Sequence, residues 1–256
     1  MSDTPPLPPQ QSLVQHLSEL RNRLIIAVVA IFVALVAIYP FANELYHFVA
    51  QPLMKHLPEG TNMIATQVSS PFMAPFKLSL VAAIFIAIPV VLYQLWGFVA
   101  PGLYKHERRL IFPLLFMSVI LFYLGALFAY YVVFPLVFGF FTAMAPEGVT
   151  VMTDITSYLD FILKMFFAFG VVFEVPILTI LLVRSGITTP KKLLSKRPYV
   201  IVGAFALGML LTPPDIFSQT LLAVPMWLLF ELGVVLSRLA MFGGKPEVKP
   251  AAEEQD

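Results

Sequence analysis

Three carboxylates stand where their chemistry needs a reason. Glu174 lies inside the apolar run Tyr158–Val183. A carboxylate buried in a bilayer is expensive unless it is protonated, paired or hydrated, and ionisable groups inside membrane segments are functional candidates by default. Lys164 is too far along a helix to pair with it, roughly 15 Å at the α-helical rise. Lys164 is placed instead to pair with Asp160 at i,i+4. Glu174 therefore has no local partner. It reads either as a protonated or water-exposed acid facing a cavity, or as an anchor hydrogen-bonded to another helix. Glu107 sits in the stretch Leu103-Tyr104-Lys105-His106-Glu107-Arg108-Arg109. It could form a local salt bridge among cations that set topology. It could also accept an incoming guanidinium, which a carboxylate takes in a two-bond fork that Lys cannot reproduce. Phe98, one to two turns upstream if that helix continues, could pack against such a ligand. Glu19 and Arg23 stand at i,i+4 on the side opposite Leu13, Leu17, Leu20 and Leu24. By spacing alone they are an exposed helix pair worth about 0.3 kcal/mol.

Enzyme chemistry finds no footing. The motifs HExxH, GxSxG, GxGxxG and the phosphate-binding loop are absent. The few serines in apolar runs have no obvious base partner. His16, His47, His56 and His106 lie outside the apolar runs, on both sides of them, and the chain has no cysteine. Cysteine–zinc sites and thiol nucleophiles are thereby excluded. No catalytic residue, metal site or cofactor is expected.

The elements that must position these acids follow from composition. The chain has 256 residues, 59% of them hydrophobic and 12% charged, with a mean hydropathy of +0.87 and a net charge of +1. A soluble domain is far less apolar, and a nucleic-acid binder needs a basic footprint, so neither fits. Six apolar runs, about 24–42, 78–100, 110–141, 158–183, 198–211 and 216–237, predict an all-α polytopic protein with six transmembrane helices. Residues 12–240 would form this membrane domain, between disordered tails at 1–11 and 241–256. The fifth run covers about 21 Å of a hydrocarbon core of about 30 Å, so the bilayer must thin or a partner must cover its ends. The first run is longer than a signal-peptide core and reads as an anchor. Ser12 and Gln15 read as a capping box, opening an amphipathic helix that lies on the membrane before the first span.

Residues 1–23, 101–109, 184–197 and 238–256 carry thirteen of the sixteen Lys and Arg, against Lys55 and Lys77 on the other side. This bias places both termini in the cytoplasm. Of the outer connections, 43–77 and 142–157, the first is long enough to be functional or to carry structure of its own. Thr212, Pro213, Pro214 and Asp215 turn a tight hairpin between spans five and six. Beside it, Thr212, Ser218, Gln219 and Thr220 serve either interhelical hydrogen bonds or the interface.

The chain closely resembles the TatC family, the polytopic core subunits of the twin-arginine translocase. The matching stretches are HLSELRNRL (16–24), SSPF (69–72), LYKHERR (103–109), YVVFPL (131–136), FEVP (173–176), KRPYVIVGAF (196–205) and LLTPPDIFSQTLLAVP (210–225). Their order and spacing span roughly residues 12 to 240. The resemblance implies a concave bundle with short helices five and six, in a bacterial cytoplasmic (inner) membrane. A plastid equivalent is disfavoured because no transit peptide precedes Ser12. It also implies recognition of twin-arginine signal peptides on folded precursors. Glu19 and Glu107 would be the guanidinium acceptors, with Phe98 beside them and Arg21 in support. Glu174 would be the family's intramembrane acid, facing the signal's apolar stretch. Met209, Thr212 and Gln219 would dock the single-span TatA-type and TatB-type partners, and Pro52 would belong to a periplasmic cap. Self-association and drive by the proton-motive force follow from the same resemblance, and Asp160 and Lys164 carry no family role. Two readings compete. One is a proton-coupled small-solute transporter using Glu174, which the lack of an internal repeat weakens. The other is a membrane scaffold with no recognition site.

Overall fold

The computed structural model describes residues 13–55, 63–103, 111–144, 152–212 and 216–242. Among these residues the regular elements are helices, joined by one isolated parallel bridge between Ile64 and Asp154. Five helical stretches are long and apolar enough to cross a membrane, and Arg197–Leu211 is a shorter apolar helix. Helices suit this composition because every N–H and C=O finds its partner within the segment, as a lipid environment demands.

The chain divides into two compact units, and each is described by itself. The first contains residues 1–47 and 75–115. Its helix α1, Leu13–Ile38, runs unbroken. The amphipathic stretch is thus not a separate surface helix but the opening turns of the first span. The reason is local: no glycine or proline interrupts the segment before Pro40, which ends it in a short 3₁₀ turn at Tyr39–Phe41. Ala27 and Ala34 are its buried apolar residues, while Leu24, Val28, Phe32 and Val36 are exposed. Helix α2, Ala42–Met54, begins in this unit and ends in the second. The connection after the first span therefore does carry structure of its own. Most of helix α3, Ser70–Leu103, belongs to the first unit, and Tyr39 meets Phe76 edge-on at 6.4 Å.

The second unit contains residues 48–74 and 116–256. Here α4 (Ile111–Phe128) passes through a π turn at Ala129–Val133 into α5 (Phe134–Ala143). Pro135 lacks an N–H, and the π turn absorbs the shift in hydrogen bonding just before it. The fourth apolar run is likewise two helices, α6 (Ile155–Val172) and α7 (Val175–Arg184), with Glu174 at the joint and Pro176 just beyond. Gly186, at φ 75°, lies two residues past Arg184, in the left-handed conformation that glycine adopts without strain. Helices α8 (Pro190–Ser195), α9 (Arg197–Leu211) and α10 (Ile216–Phe242) follow.

Small residues set how closely these helices pack. A Cβ at Gly233 on α10 would collide with Thr179 Oγ1 and lie 2.8 Å from Pro176 Cα on α7. A Cβ at Gly125 would lie 2.5 Å from the Phe169 carbonyl oxygen, and one at Gly170 would lie 2.6 Å from the Phe122 ring. Both crossings bring α4 against α6. Phe134, Phe169, Leu159 and Ile162 are fully buried in this unit. Val172, Ala204, Ala223 and Met226 form a further core that joins α6, α9 and α10.

Candidate functional site

In the second unit the intramembrane acid is held by an interhelical hydrogen bond. Ser118 on α4 donates to Glu174 Oε2 at 2.5 Å, and both side chains are buried. Among the described residues, Glu174 Oε1 has no hydrogen-bond partner although it is equally buried. The acid at the α6–α7 joint thus spends one oxygen on the fold and leaves the other open. Of the two sequence readings, the helix-anchored one describes Oε2, while Oε1 keeps the capacity that a ligand or a water would use. Sequence reasoning missed Ser118, because a serine in an apolar run carries no signal of what faces it.

In the first unit, Glu19 is already engaged. Arg23 donates from Nε at 3.0 Å and from Nη2 at 2.7 Å to Glu19 Oε1. Its remaining terminal nitrogen, Nη1, reaches Gln94 Oε1 on α3 at 3.4 Å. The i,i+4 pair expected from spacing is present, and it has a second tether that spacing could not show. Arg21 is exposed on the same helix, and Phe98 is half-buried, one residue beyond Gly97. Glu107 lies outside the described residues.

Around the hairpin, Met209 is exposed and Thr212 is buried, with Gln219 half-buried between these extremes. Thr212 donates through both its N–H and its hydroxyl to the Gly208 carbonyl at 2.9 Å, closing the end of α9. Gly208 faces Gln219: a Cβ there would make ordinary contact with it, 3.4 Å from its carbonyl oxygen. Pro213, Pro214 and Asp215 lie outside the described residues. At the other end of α9, Arg197 and Glu231 of α10 form a two-pronged ion pair, Nε to Oε1 and Nη2 to Oε2, each 2.5 Å.

Pro52 is buried inside α2. A proline there leaves the carbonyl four residues earlier, that of Phe48, without its helical donor. The Tyr130 hydroxyl supplies the missing bond to Phe48 O at 2.8 Å, with the two rings stacked at 4.8 Å. Tyr158 donates to the next carbonyl, Val49 O, also at 2.8 Å. Nearby, the Asp154 carboxylate caps α6 through the Ser157 N–H at 3.0 Å and receives the Thr66 N–H at 3.1 Å and hydroxyl at 2.8 Å. These bonds hold its pKa down to about 2, the Ser157 and Thr66 backbone N–H groups contributing most. The α2–α3 and α5–α6 connections are thus clasped together, with Ile64 donating to Thr153 O and Ile155 donating to Ile64 O.

Comparison with known proteins places this arrangement. A family profile described as "Sec-independent protein translocase protein (TatC)" matches residues 15–225. Proteins of that name from Haemophilus influenzae and from Escherichia coli (strain K12) are 61% and 57% identical to the chain. The first alignment covers 89% of both chains, and the second covers 92% of this chain and 91% of its relative. A crystal structure described as the twin-arginine translocase receptor TatC superposes with a TM-score of 0.79 at 40% identity, covering 88% of this chain and 99% of its own. A second, described as the same receptor in DDM, gives 0.80 at 39% identity, over 87% and 99%. With a profile matching most of its length and relatives well above half identical, the chain belongs to the TatC family of multi-pass membrane proteins of the Sec-independent protein translocase.

Proposed function

We propose that the chain is the receptor subunit that recognises twin-arginine signal peptides of folded precursors and nucleates the complex that exports them. The observation that carries this reading is the Glu19 carboxylate, which grips the Arg23 guanidinium through two N–H groups. Such a grip discriminates arginine from lysine by geometry, since a planar fork offers several fixed donors and an ammonium only one nitrogen. Glu107 would supply the second acceptor, with Phe98 packing against the ligand and Arg21 in support. The signal's apolar stretch would then lie toward Glu174, whose buried Oε1 has no hydrogen-bond partner among the described residues.

Both termini would be cytoplasmic, as the distribution of Lys and Arg supports. TatA-type and TatB-type single-span partners would dock beside Met209, Thr212 and Gln219. The 15-residue α9, with Tyr199, Val202, Leu207 and Leu210 exposed, offers them an apolar surface. Pro52 would serve the outer cap, its helix tied down by Tyr130 and Tyr158. Self-association and drive by the proton-motive force complete the proposal.

The test is Glu174→Leu, assayed in inverted membrane vesicles that hold the complete translocase. Export of a folded cargo with an Arg-Arg signal is expected to fail while binding of that signal persists. Export at the wild-type rate would remove Glu174 from the mechanism.

A further inference from the structure

The contacts of Arg23 form a built site for a guanidinium. Three groups from two helices surround it: the Glu19 carboxylate on α1, the Gln94 amide oxygen on α3, and the bare backbone of Gly97 on α3. A Cβ at Gly97 would collide with Arg23 Nη1 and lie 3.1 Å from Cζ, so the planar group rests in the space that a side chain would fill. Glu19 and Gln94 accept from different nitrogens of the same plane. The site is open to exchange, since the Arg23 and Glu19 side chains are 25% and 36% exposed. An exposed i,i+4 pair holds its partners weakly, and a hydrogen bond as long as 3.4 Å adds little.

We infer that Glu19, Gln94 and Gly97 form a guanidinium subsite, which Arg23 fills and yields to an arginine of the incoming signal. Gln94 and Gly97 are then specificity-determining residues, and Arg23 is a built-in competitor. The inference rests on the signal-receptor reading and adds how one of its acceptors is kept and released. Exchange of one guanidinium for another keeps the carboxylate paired in both states, so neither state leaves a half-buried charge uncompensated. A lysine brings one nitrogen to a site shaped for a plane. It cannot replace the two-acceptor arrangement, and Arg23 stays in place against it.

The experiment measures binding of Arg-Arg and Lys-Lys signal peptides to the full chain in nanodiscs, for wild type, Arg23→Gln, Arg23→Lys, Gln94→Leu, Gly97→Ala and the double variant Arg23→Gln/Gln94→Leu. Removing the competitor with Arg23→Gln is expected to tighten Arg-Arg binding by roughly threefold to tenfold, the factor that an exposed pair and one shared hydrogen bond otherwise take up. Arg23→Lys should lie between it and wild type. In the Arg23→Gln background, Gln94→Leu should weaken Arg-Arg binding roughly tenfold, the factor one lost hydrogen bond to a charged group can account for, because Gln94 then serves the ligand alone. With Arg23 present the loss should be smaller, since the same substitution loosens the competitor. Gly97→Ala should weaken Arg-Arg binding and leave Lys-Lys binding unchanged. Unchanged unfolding midpoints identify variants that retain the fold. The inference is overturned if Arg23→Gln weakens Arg-Arg binding or leaves it unchanged. It is equally overturned if Gln94→Leu has no effect once Arg23 is gone, for then Gln94 merely braces Arg23. If instead wild type fails to distinguish the two peptides, the receptor reading itself falls, whatever the Arg23 variants do.

Discussion

The bond from Tyr130 to Phe48 isolates one hydrogen bond cleanly, because its cause is a single residue. Pro52 withholds the helical N–H that Phe48 O would otherwise accept, and the Tyr130 hydroxyl replaces it at 2.8 Å. Tyr130→Phe keeps the ring stacked on Phe48 and removes only the oxygen, so burial and packing change little. A buried carbonyl left without a donor costs about 1–3 kcal/mol in soluble proteins. Interhelical hydrogen bonds measured in membranes average roughly 0.6 kcal/mol and reach about 1.7. Tyr130 is buried while Phe48 is exposed, and the proline prevents the helix from re-pairing the carbonyl, so a middle value applies, about 1 kcal/mol. Pro52→Ala restores an N–H four residues beyond Phe48. In that background Tyr130→Phe should cost much less, giving a coupling of about 1 kcal/mol between two residues on different helices. Reversible unfolding of the four purified proteins by a denaturing detergent measures the cycle. A coupling below about 0.3 kcal/mol would refute the reasoning, since the tyrosine would then not be replacing the proline's missing donor.

Three further outcomes follow from the same geometry. Ser118→Ala should destabilise the chain by about 1 kcal/mol, and the loss should shrink in a Glu174→Leu background, where no carboxyl awaits the hydroxyl; equal losses in both backgrounds would mean that Ser118 acts elsewhere. Gly233→Ala drives a methyl into Thr179 and Pro176 and should cost about 1–3 kcal/mol by overpacking, with Thr179→Ala, which removes the clashing hydroxyl, failing to restore stability because the Pro176 backbone still blocks it. Asp154 titrates near 2 in the folded chain against an ordinary 3.8, so its contribution is complete above about pH 4 and disappears as pH falls toward 2. Unfolding midpoints of wild type and Asp154→Asn, measured across that window, should therefore converge at the acid end, and a gap that persists there would contradict the assigned partners.

The helical spans were legible because lipid burial writes itself as uninterrupted apolar runs. Glu174 stood out for the same reason, as a carboxylate where hydrocarbon should be. What faces it was not legible. Ser118 is 56 residues away, and the close crossings at Gly125 and Gly170 bring its helix against α6. The division of the Tyr158–Val183 run into α6 and α7 was hidden because hydropathy does not register a missing N–H at Pro176. The amphipathic leucines at the N-terminus suggested a surface helix, yet an unbroken helical sequence simply continues into the span. Glu19 and Arg23 were readable as neighbours on a helix, whereas their tether to Gln94, 71 residues beyond Arg23, depends on tertiary packing. Pro52 was named only through the family resemblance, and the tyrosine that compensates it lies 82 residues from the carbonyl it serves.

The most direct test of the receptor assignment is a titration of the purified chain with an Arg-Arg signal peptide and its Lys-Lys counterpart, against wild type and Glu107→Gln. Tighter binding of the Arg-Arg peptide to wild type is expected, with loss of that preference when Glu107 becomes an amide. Equal binding of both peptides to both proteins would contradict it, leaving the cytoplasmic charges with topology as their role and moving the receptor to another subunit.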